Sequence, residues 1–157
     1  MLKTIMVAVD GSDHTRAVIH AAVEWARLCD AALHVLCVVD PAYYLDEPDG
    51  LRPSAVDEMD YPAPAIEREG ADALVRRAVA ELQLKGIAAE GSVVPGEPVK
   101  CIVEAAAVLR ADLIMVGHRH HSWFGRLADP SVCHDVLERA HRPVLVIPIE
   151  RASTAAG

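Results

Sequence analysis

The hydrophobic pattern of the chain alternates five short apolar runs with longer segments in which apolar residues recur every three or four positions. Nearly continuous apolar runs bounded by turn-forming residues are typical of strands buried on both faces, as in a parallel sheet. The predicted strands cover residues 4–9, 31–39, 88–94, 113–116 and 143–149.

The segments between these runs predict four amphipathic helices, because their apolar residues fall on one side of a helix. The second covers about residues 65–85, the third begins at Pro98, and the fourth follows Asp129-Pro130-Ser131 and ends near Ala140. The predicted core faces are Val18, Ala21, Ala22, Trp25 and Leu28 in the first helix, Ile66, Ala73, Leu74, Ala78 and Leu82 in the second, and Ile102, Ala105, Ala106 and Leu109 in the third.

The order of these elements, βαβαβαβαβ, predicts an α/β fold with a single doubly wound, five-stranded parallel sheet flanked by helices. One domain is predicted over residues 1–150, with a proline-rich excursion at residues 40–64 and a frayed tail at 151–157. Ligands of such sheets bind beyond the carboxyl ends of the strands, where the strand order switches. The turn after strand one and the loop after strand four are therefore the candidate sites.

Composition and charge narrow the classes of partner. Hydrophobic residues make up 52% of the 157 positions and charged residues 24%, which indicates a chain with a packed core. The net charge of −8 disfavours nucleic acids and anionic membranes. No apolar run approaches the roughly 18 residues that cross a bilayer, and the first residues do not resemble a signal peptide, so a cytoplasmic location is predicted. The four scattered cysteines predict buried thiols rather than disulfides or a zinc site.

The first candidate site is Val9-Asp10-Gly11-Ser12, at the end of strand one. The Asp10 carboxylate can accept hydrogen bonds from an adenine amine or a ribose hydroxyl in the crevice. Asp is also common in turns and at helix starts, so a purely local role for Asp10 is the alternative.

The second candidate site is the loop at residues 117–126, which leads into Ser131 at a predicted helix start. Free N–H groups at a helix N-terminus favour phosphate, and the loop adds two arginines and three histidines to an acidic chain. The alternative is that His118, His120 and His121 are simply solvated. Zinc sites need further, distant ligands, and none is evident, so no metal site is predicted.

Four segments in order resemble the UspA-type universal stress protein family over nearly the whole chain. They are residues 5–9 with Asp10-Gly11-Ser12, residues 111–117, Ser131-Val132, and residues 143–148. The resemblance implies a Rossmann-like fold of the adenine-nucleotide alpha hydrolase type that binds ATP or another adenine nucleotide, with Mg²⁺ if the ligand is a triphosphate. It also implies a homodimer joined along the last strand.

The resemblance assigns nucleotide contacts to Val9, Asp10, Val38, Val116, Gly117, Ser131 and Val132, with Val38 touching adenine through its backbone. Nucleotide-binding members carry Gly-x-x-Gly, nine residues, then Gly-Ser or Gly-Thr. Here Gly117 and Ser131 keep the spacing, but His120 and Pro130 replace glycines. A glycine lets the backbone approach a phosphate and proline has no N–H, so Arg119 and His120 are predicted to donate through their side chains instead.

Two functions follow from this pattern. The first is a stress-response module in which an adenine nucleotide switches a dimer, and the second is a dimeric interaction protein whose phosphate loop has degenerated. No catalytic motif is evident, so at most slow ATP hydrolysis is expected. The dimer would form through Val144, Leu145, Val146 and Ile147, because an exposed apolar edge strand is normally covered. Capping of that strand by residues 40–64 is the alternative.

Overall fold

A computed structural model describes residues 1–11, 15–39, 63–118 and 130–148 of the 157-residue chain. Strands and helices alternate along these ranges as the hydrophobic pattern predicts. In chain order they are β1 Thr4–Val9, α1 Thr15–Cys29, β2 Ala32–Val39, α2 Ala63–Leu84, β3 Ala89–Pro95, α3 Pro98–Val108, β4 Leu113–His118, α4 Pro130–Arg139 and β5 Val144–Pro148.

The strands form one parallel sheet in the order β3-β2-β1-β4-β5. The chain builds outward from β1 through β2 to β3, then crosses back to add β4 and β5 on the other side of β1. This confirms the predicted α/β fold. The strand order switches between β1 and β4, which is where the two candidate site segments begin.

The core consists of two layers, one on each face of the sheet. Ile5, Val7 and Val9 of β1 pack with α1 and α2, whereas Met6 and Ala8 pack on the opposite face with α3 and α4. A central strand that is covered on both sides has no solvent-facing position, and this is why its sequence is apolar without alternation.

Helix α1 buries Val18 and Ala22 as predicted, but the rest of its buried face is rotated away from the predicted one. Its core residues are Val18, Ile19, Ala22, Val23 and Ala26. Trp25 is 36% exposed and Leu28 is 79% exposed, so their predicted core positions are wrong. Both sets of residues recur at steps of three and four, and the face with the smaller side chains is the one that lies against the sheet. The pattern alone does not distinguish the two faces.

Helix α2 starts earlier than predicted, at Ala63 inside the expected excursion, and ends at Leu84. Its described core residues are Ala71, Val75, Ala78 and Leu82. Ala73 is exposed rather than buried, because it lies about 200° around the helix from Ala71. The side chain of Ile66 lies outside the described part of the chain.

The other differences concern strand ends. β4 continues two residues beyond its predicted end, because Gly117 and His118 pair with Ile147 and Pro148 of β5. Gly117 is therefore part of a strand and not of the loop. The predicted excursion from residue 40 to residue 62 and the predicted tail at 151–157 lie outside the described residues.

Asp112 aligns β4 with β1 at the amino edge of the sheet. Its Oδ2 accepts hydrogen bonds from the backbone N–H groups of Lys3 at 2.8 Å and Thr4 at 3.0 Å. The Asp112 N–H in turn donates to the Thr4 carbonyl at 2.8 Å. The two strands that carry the candidate site at their far ends are thereby held in register. None of the helices in the described ranges is long and apolar enough to cross a membrane.

Candidate functional site

The candidate site lies at the carboxyl edge of the sheet, where β1, β2 and β4 end side by side. Val9 pairs with Cys37 of β2, so Asp10 is level with Val38 one residue further on. Ala8 pairs with Val116 of β4, so Val9 is level with Gly117. The structure therefore brings five of the residues predicted for the site to one edge.

The valines of this edge offer backbone groups rather than side chains. Val9 is buried in the layer under α1 and α2, and Val116 and Val132 are buried in the layer under α3 and α4. A ligand above the edge can reach only their main-chain groups. The buried side chains of these valines hold their backbone N–H and C=O groups in fixed positions at the edge.

Asp10 is held in place by the start of α1. The Thr15 hydroxyl donates to Asp10 Oδ1 at 3.4 Å, and the same hydroxyl accepts the Gly11 N–H at 3.2 Å. Gly11 has a φ of 77°, a conformation that favours glycine. Asp10 therefore has the helix-start role considered as the alternative. The hydrogen bond from Thr15 also orients the Asp10 carboxylate at the carboxyl edge of the sheet.

The electrostatic field on the β2 side of this edge is negative. Burial, and to a smaller extent the charges of Asp10 and Asp72, raise the pKa of the Cys37 thiol to about 11. The thiol therefore stays protonated at neutral pH. An acidic environment of this kind suits hydrogen-bond donors such as an amine and disfavours phosphate.

The opposite side of the edge is formed by the start of α4. Pro130 occupies the first helical position, as predicted, and the helix packs on β4 through the buried side chains of Val132, Cys133 and Val136. The first N–H groups of a helix have no partner within it, and the helix dipole adds partial positive charge. An anion is therefore favoured on this side, opposite the carboxylate of Asp10.

Three predicted residues remain without structural placement of their side chains. Arg119 and His120 lie outside the described residues, and Ser131 is placed only as part of the α4 backbone. Within the described ranges no three His, Cys, Asp or Glu side chains lie close enough to hold a metal ion.

Sequence reasoning missed two residues that shape the turn after β1. Thr15 stands five residues after Asp10, a spacing at which a helix-start hydroxyl can reach back, so this signal was available. Leu74 was assigned to the core, but its Cδ2 lies 3.4 Å from where a Cβ on Gly11 would be. No local pattern could have found that contact, because it joins α2 to a turn more than sixty residues earlier.

The strand order defines a doubly wound α/β protein, and its candidate ligand site lies at the β1–β4 switch. A model of the universal stress protein family matches residues 1–148. The chain therefore belongs to the universal stress protein family.

Curated relatives agree with this assignment over almost the same length. A universal stress protein encoded in the 3′ region of the QAH/OAS sulfhydrylase of Thermus aquaticus is 32% identical over 148 residues, which is 94% of this chain and 99% of the relative. Universal stress protein YxiE of Bacillus subtilis is 30% identical over 148 residues, again 94% of this chain and 99% of the relative.

Solved structures share the fold. The universal stress protein UspA of Lactobacillus plantarum superposes with a TM-score of 0.72 at 25% identity, covering 93% of this chain and 97% of the other. A universal stress protein in complex with cAMP gives 0.63 at 26% identity, covering 94% and 97%. The Archaeoglobus fulgidus protein in complex with dAMP gives 0.60 at 28% identity, covering 94% and 99%.

Proposed function

We propose that this universal stress protein binds an adenine nucleotide at the carboxyl edge of β1 and β4 and acts as a nucleotide-dependent switch. The observation that carries the proposal is the juxtaposition of an oriented Asp10 carboxylate with the backbone of Val38 and Gly117. Solved relatives bound to cAMP and dAMP support the same ligand class.

The different charges of the two sides of the edge favour one orientation of the bound nucleotide. The exocyclic amine of adenine is a donor, so it belongs on the acidic side, with the carboxylate of Asp10 and the backbone of Val38. The phosphate belongs near the first turn of α4, where free N–H groups and the helix dipole favour an anion. Arg119 and His120 are the side chains proposed to complete the phosphate contacts in place of glycine backbone.

Proline at the start of α4 limits the backbone contacts to phosphate. Pro130 has no N–H, so Ser131 and Val132 provide the first backbone donors of the helix. The number of phosphates that this arrangement accepts is best measured by titration with AMP, cAMP, ADP, and ATP with Mg²⁺.

Removal of the Asp10 carboxylate tests the proposal. A hydrogen bond to a charged group is worth about 1.5–3 kcal/mol, so Asp10→Ala is expected to raise Kd for the preferred nucleotide roughly tenfold or more. Asp135→Ala removes the same charge from an exposed position of α4 and is expected to leave Kd unchanged. Isothermal titration calorimetry of stripped protein measures both.

A second measurement separates the proposal from its alternative. Freshly purified protein is denatured, and any released nucleotide is identified by chromatography and mass analysis. Absence of released nucleotide, together with no heat for any of the four ligands, would contradict nucleotide binding. That outcome would favour a dimeric interaction protein with a degenerate phosphate loop.

We also propose that the protein works as a homodimer joined along β5. This strand lies at the edge of the sheet, and no described strand pairs with its outer side. Val144, Leu145, Val146 and Ile147 are all only half-buried. An edge strand with apolar residues on both faces is a favourable site for pairing with a second chain.

Helix α1 extends this apolar edge on one face of the sheet. Arg27 reaches towards α2, where its Nη2 donates to the Lys85 carbonyl at 3.5 Å. Trp25 lies two residues earlier, about 200° around the helix, and so faces the β5 side. Leu145 and Ile147 of β5 pack against the same core layer as α1, so we expect the exposed part of the Trp25 ring to lie beside them.

Helix α4 extends the edge in the same way on the other face. Arg139 approaches Glu97 at the start of α3, with 4.0 Å between Nη1 and Oε2. Leu137 lies about 200° around α4 from Arg139, on the β5 side, and is 49% exposed. We call Trp25, Leu137 and residues 144–147 the β5 surface.

A further inference from the structure

A serine and a histidine form a close pair on the other half of the sheet. His34 Nε2 of β2 lies 2.8 Å from Ser92 Oγ of β3, and both residues are half-buried. The parallel register places Glu90 directly opposite His34. His34 lies four residues before Val38 along β2, about 13 Å, and Ser92 pairs with Leu36, two residues before Val38, about 7 Å, so both lie below the carboxyl edge where Val38 is located.

We propose that Ser92 is a nucleophile activated by His34, and that the pair accepts an acyl group from activated carboxylic esters. Ser92 Oγ bonds to the ester carbonyl carbon while its hydroxyl proton moves to His34 Nε2. The bond from that carbon to the leaving-group oxygen then breaks, and the departing oxygen takes the proton from His34. The products are a seryl ester, a free alcohol and a neutral imidazole.

The surroundings of His34 suit a general base. Burial lowers the pKa of His34, against a smaller opposing effect of the Glu90 charge, so the imidazole is neutral at pH 7. A neutral ring with an unprotonated Nε2 can accept the Ser92 proton. The Glu90 carboxylate then favours the imidazolium that forms during the step.

The edge position of β3 supplies a backbone donor for the oxyanion. Leu33 N–H donates to the Ala88 carbonyl at 2.9 Å, so the even-numbered backbone groups of β3 pair with β2. The odd-numbered backbone groups of β3 point away from β2. The Ala89 carbonyl is one of them, and it accepts a hydrogen bond from Gln83 Nε2 of α2 at 3.1 Å. The Val93 N–H therefore points to the outer edge beside Ser92, where no described strand covers it. The N–H of the residue after a nucleophile commonly stabilises the oxyanion.

Covalent labelling of the full-length protein tests the proposal. An alkyl fluorophosphonate forms an Oγ–P bond and loses fluoride, and p-nitrophenyl acetate reports acyl transfer through release of p-nitrophenol. Ser92 is the only hydroxyl or thiol side chain in the tryptic fragment 86–100, so mass analysis of that fragment locates the adduct. Native protein is expected to label there at least tenfold faster than protein unfolded in guanidinium, and to release p-nitrophenol faster than the Ser92→Ala variant.

Variants assign the roles within the pair. Ser92→Ala should abolish the adduct on the fragment, and His34→Gln should slow labelling by about a hundredfold, the usual range for loss of a general base. Glu90→Gln should slow it several-fold, and Glu90→Asp should restore the rate. Circular dichroism and melting curves establish that each variant is folded.

Two results would overturn the proposal. One is labelling of Ser92 in the native wild-type protein no faster than in the unfolded chain, a comparison that needs no variant. The other is a folded His34→Gln protein that labels at the wild-type rate.

Discussion

At the scale of the residue, the side chains at the carboxyl edge of the sheet differ in whether they are available to a ligand or buried in the core. Asp10 accepts a hydrogen bond from Thr15 at the start of α1 and also lies at the carboxyl edge of the sheet, so its local role is compatible with the proposed ligand contact. Val9 and Val116 occupy the same edge with buried side chains and contribute only backbone. Residue type alone therefore does not separate ligand contacts from core.

Gly91 of β3 lets α2 pack closely on the sheet because it has no side chain. A Cβ at this position would collide with Val75 of α2, and would lie 3.0 Å from Val79 and 3.1 Å from the Val35 carbonyl. The Gly91→Ala variant is expected to lose about 1–3 kcal/mol of unfolding free energy through overpacking of α2 on the sheet. Chemical denaturation monitored by circular dichroism measures the loss.

Gly70 provides the matched control for this substitution. It lies in α2, and a Cβ there meets no atom within 4 Å. Gly70→Ala is expected to stabilise the protein by up to about 1 kcal/mol, because alanine is the better helix former. Equal effects of the two substitutions would contradict the close approach of α2 to β3.

At the scale of the element, periodicity locates the helices but does not orient all of them. In α1 two overlapping stripes share Val18 and Ala22, and the sheet buries the one that continues through Val23 and Ala26 rather than the one that continues through Trp25 and Leu28. In α3, by contrast, Ile102 and Ala106 are buried as predicted. The difference arises because α1 carries large apolar residues on its exposed flank, beside β5.

The alignment of β1 with β4 gives a prediction that depends on pH. Hydrogen bonds from the backbone of Lys3 and then Thr4 lower the pKa of Asp112 below its usual 3.8. The folded state thus favours the carboxylate, so its contribution is complete above the unfolded pKa and is lost as pH falls through the folded one. Asp112→Ala is expected to lower Tm by a few degrees near neutral pH, and Asp112→Asn by less, since an acceptor oxygen remains.

Thermal melts of wild type and Asp112→Ala from about pH 7 to about pH 3 test this dependence. The difference in Tm between the two proteins should stay constant down to the unfolded pKa of about 3.8 and narrow as the pH falls below it. Asp135→Ala, at an exposed position of α4, serves as the control for loss of a negative charge. A difference that is the same at every pH would count against the carboxylate hydrogen bonds.

At the scale of the whole molecule, the two sheet edges differ in what they expose. β5 carries half-buried apolar residues on both faces with Trp25 and Leu137 beside it. β3 carries the exposed residues Glu90 and Gly91 and ends at Pro95, and charge and proline are features that discourage strand pairing. The asymmetry supports the proposal that the homodimer forms through the β5 edge.

Substitution on the β5 surface tests the homodimer. Trp25→Lys combined with Leu137→Lys places charge on both sides of the strand without altering its backbone, and is expected to convert a dimer into a monomer. Leu84→Lys, at an exposed position at the end of α2, should leave the dimer intact. Light scattering at micromolar concentration measures the molecular mass, and a monomeric wild-type protein would refute the dimer.

Most of the fold was predictable, because buried parallel strands and amphipathic helices leave strong local signals. The order of elements, the parallel sheet and the switch between β1 and β4 followed from that pattern together with the handedness of crossovers. The placement of the candidate site residues was also predictable, because Asp10, Val38 and Gly117 meet at one edge of the sheet, as the predicted topology requires.

The sequence by itself determined which segments are strands and helices and where their carboxyl ends meet, since these depend on local periodicity and chain connectivity. Only the tertiary structure decided which face of α1 is buried, that Leu74 packs against the Gly11 turn, and that Ser92 meets His34. Each of these depends on the register of one element against another that is distant in sequence. Contacts of that kind leave no periodic signal in the chain.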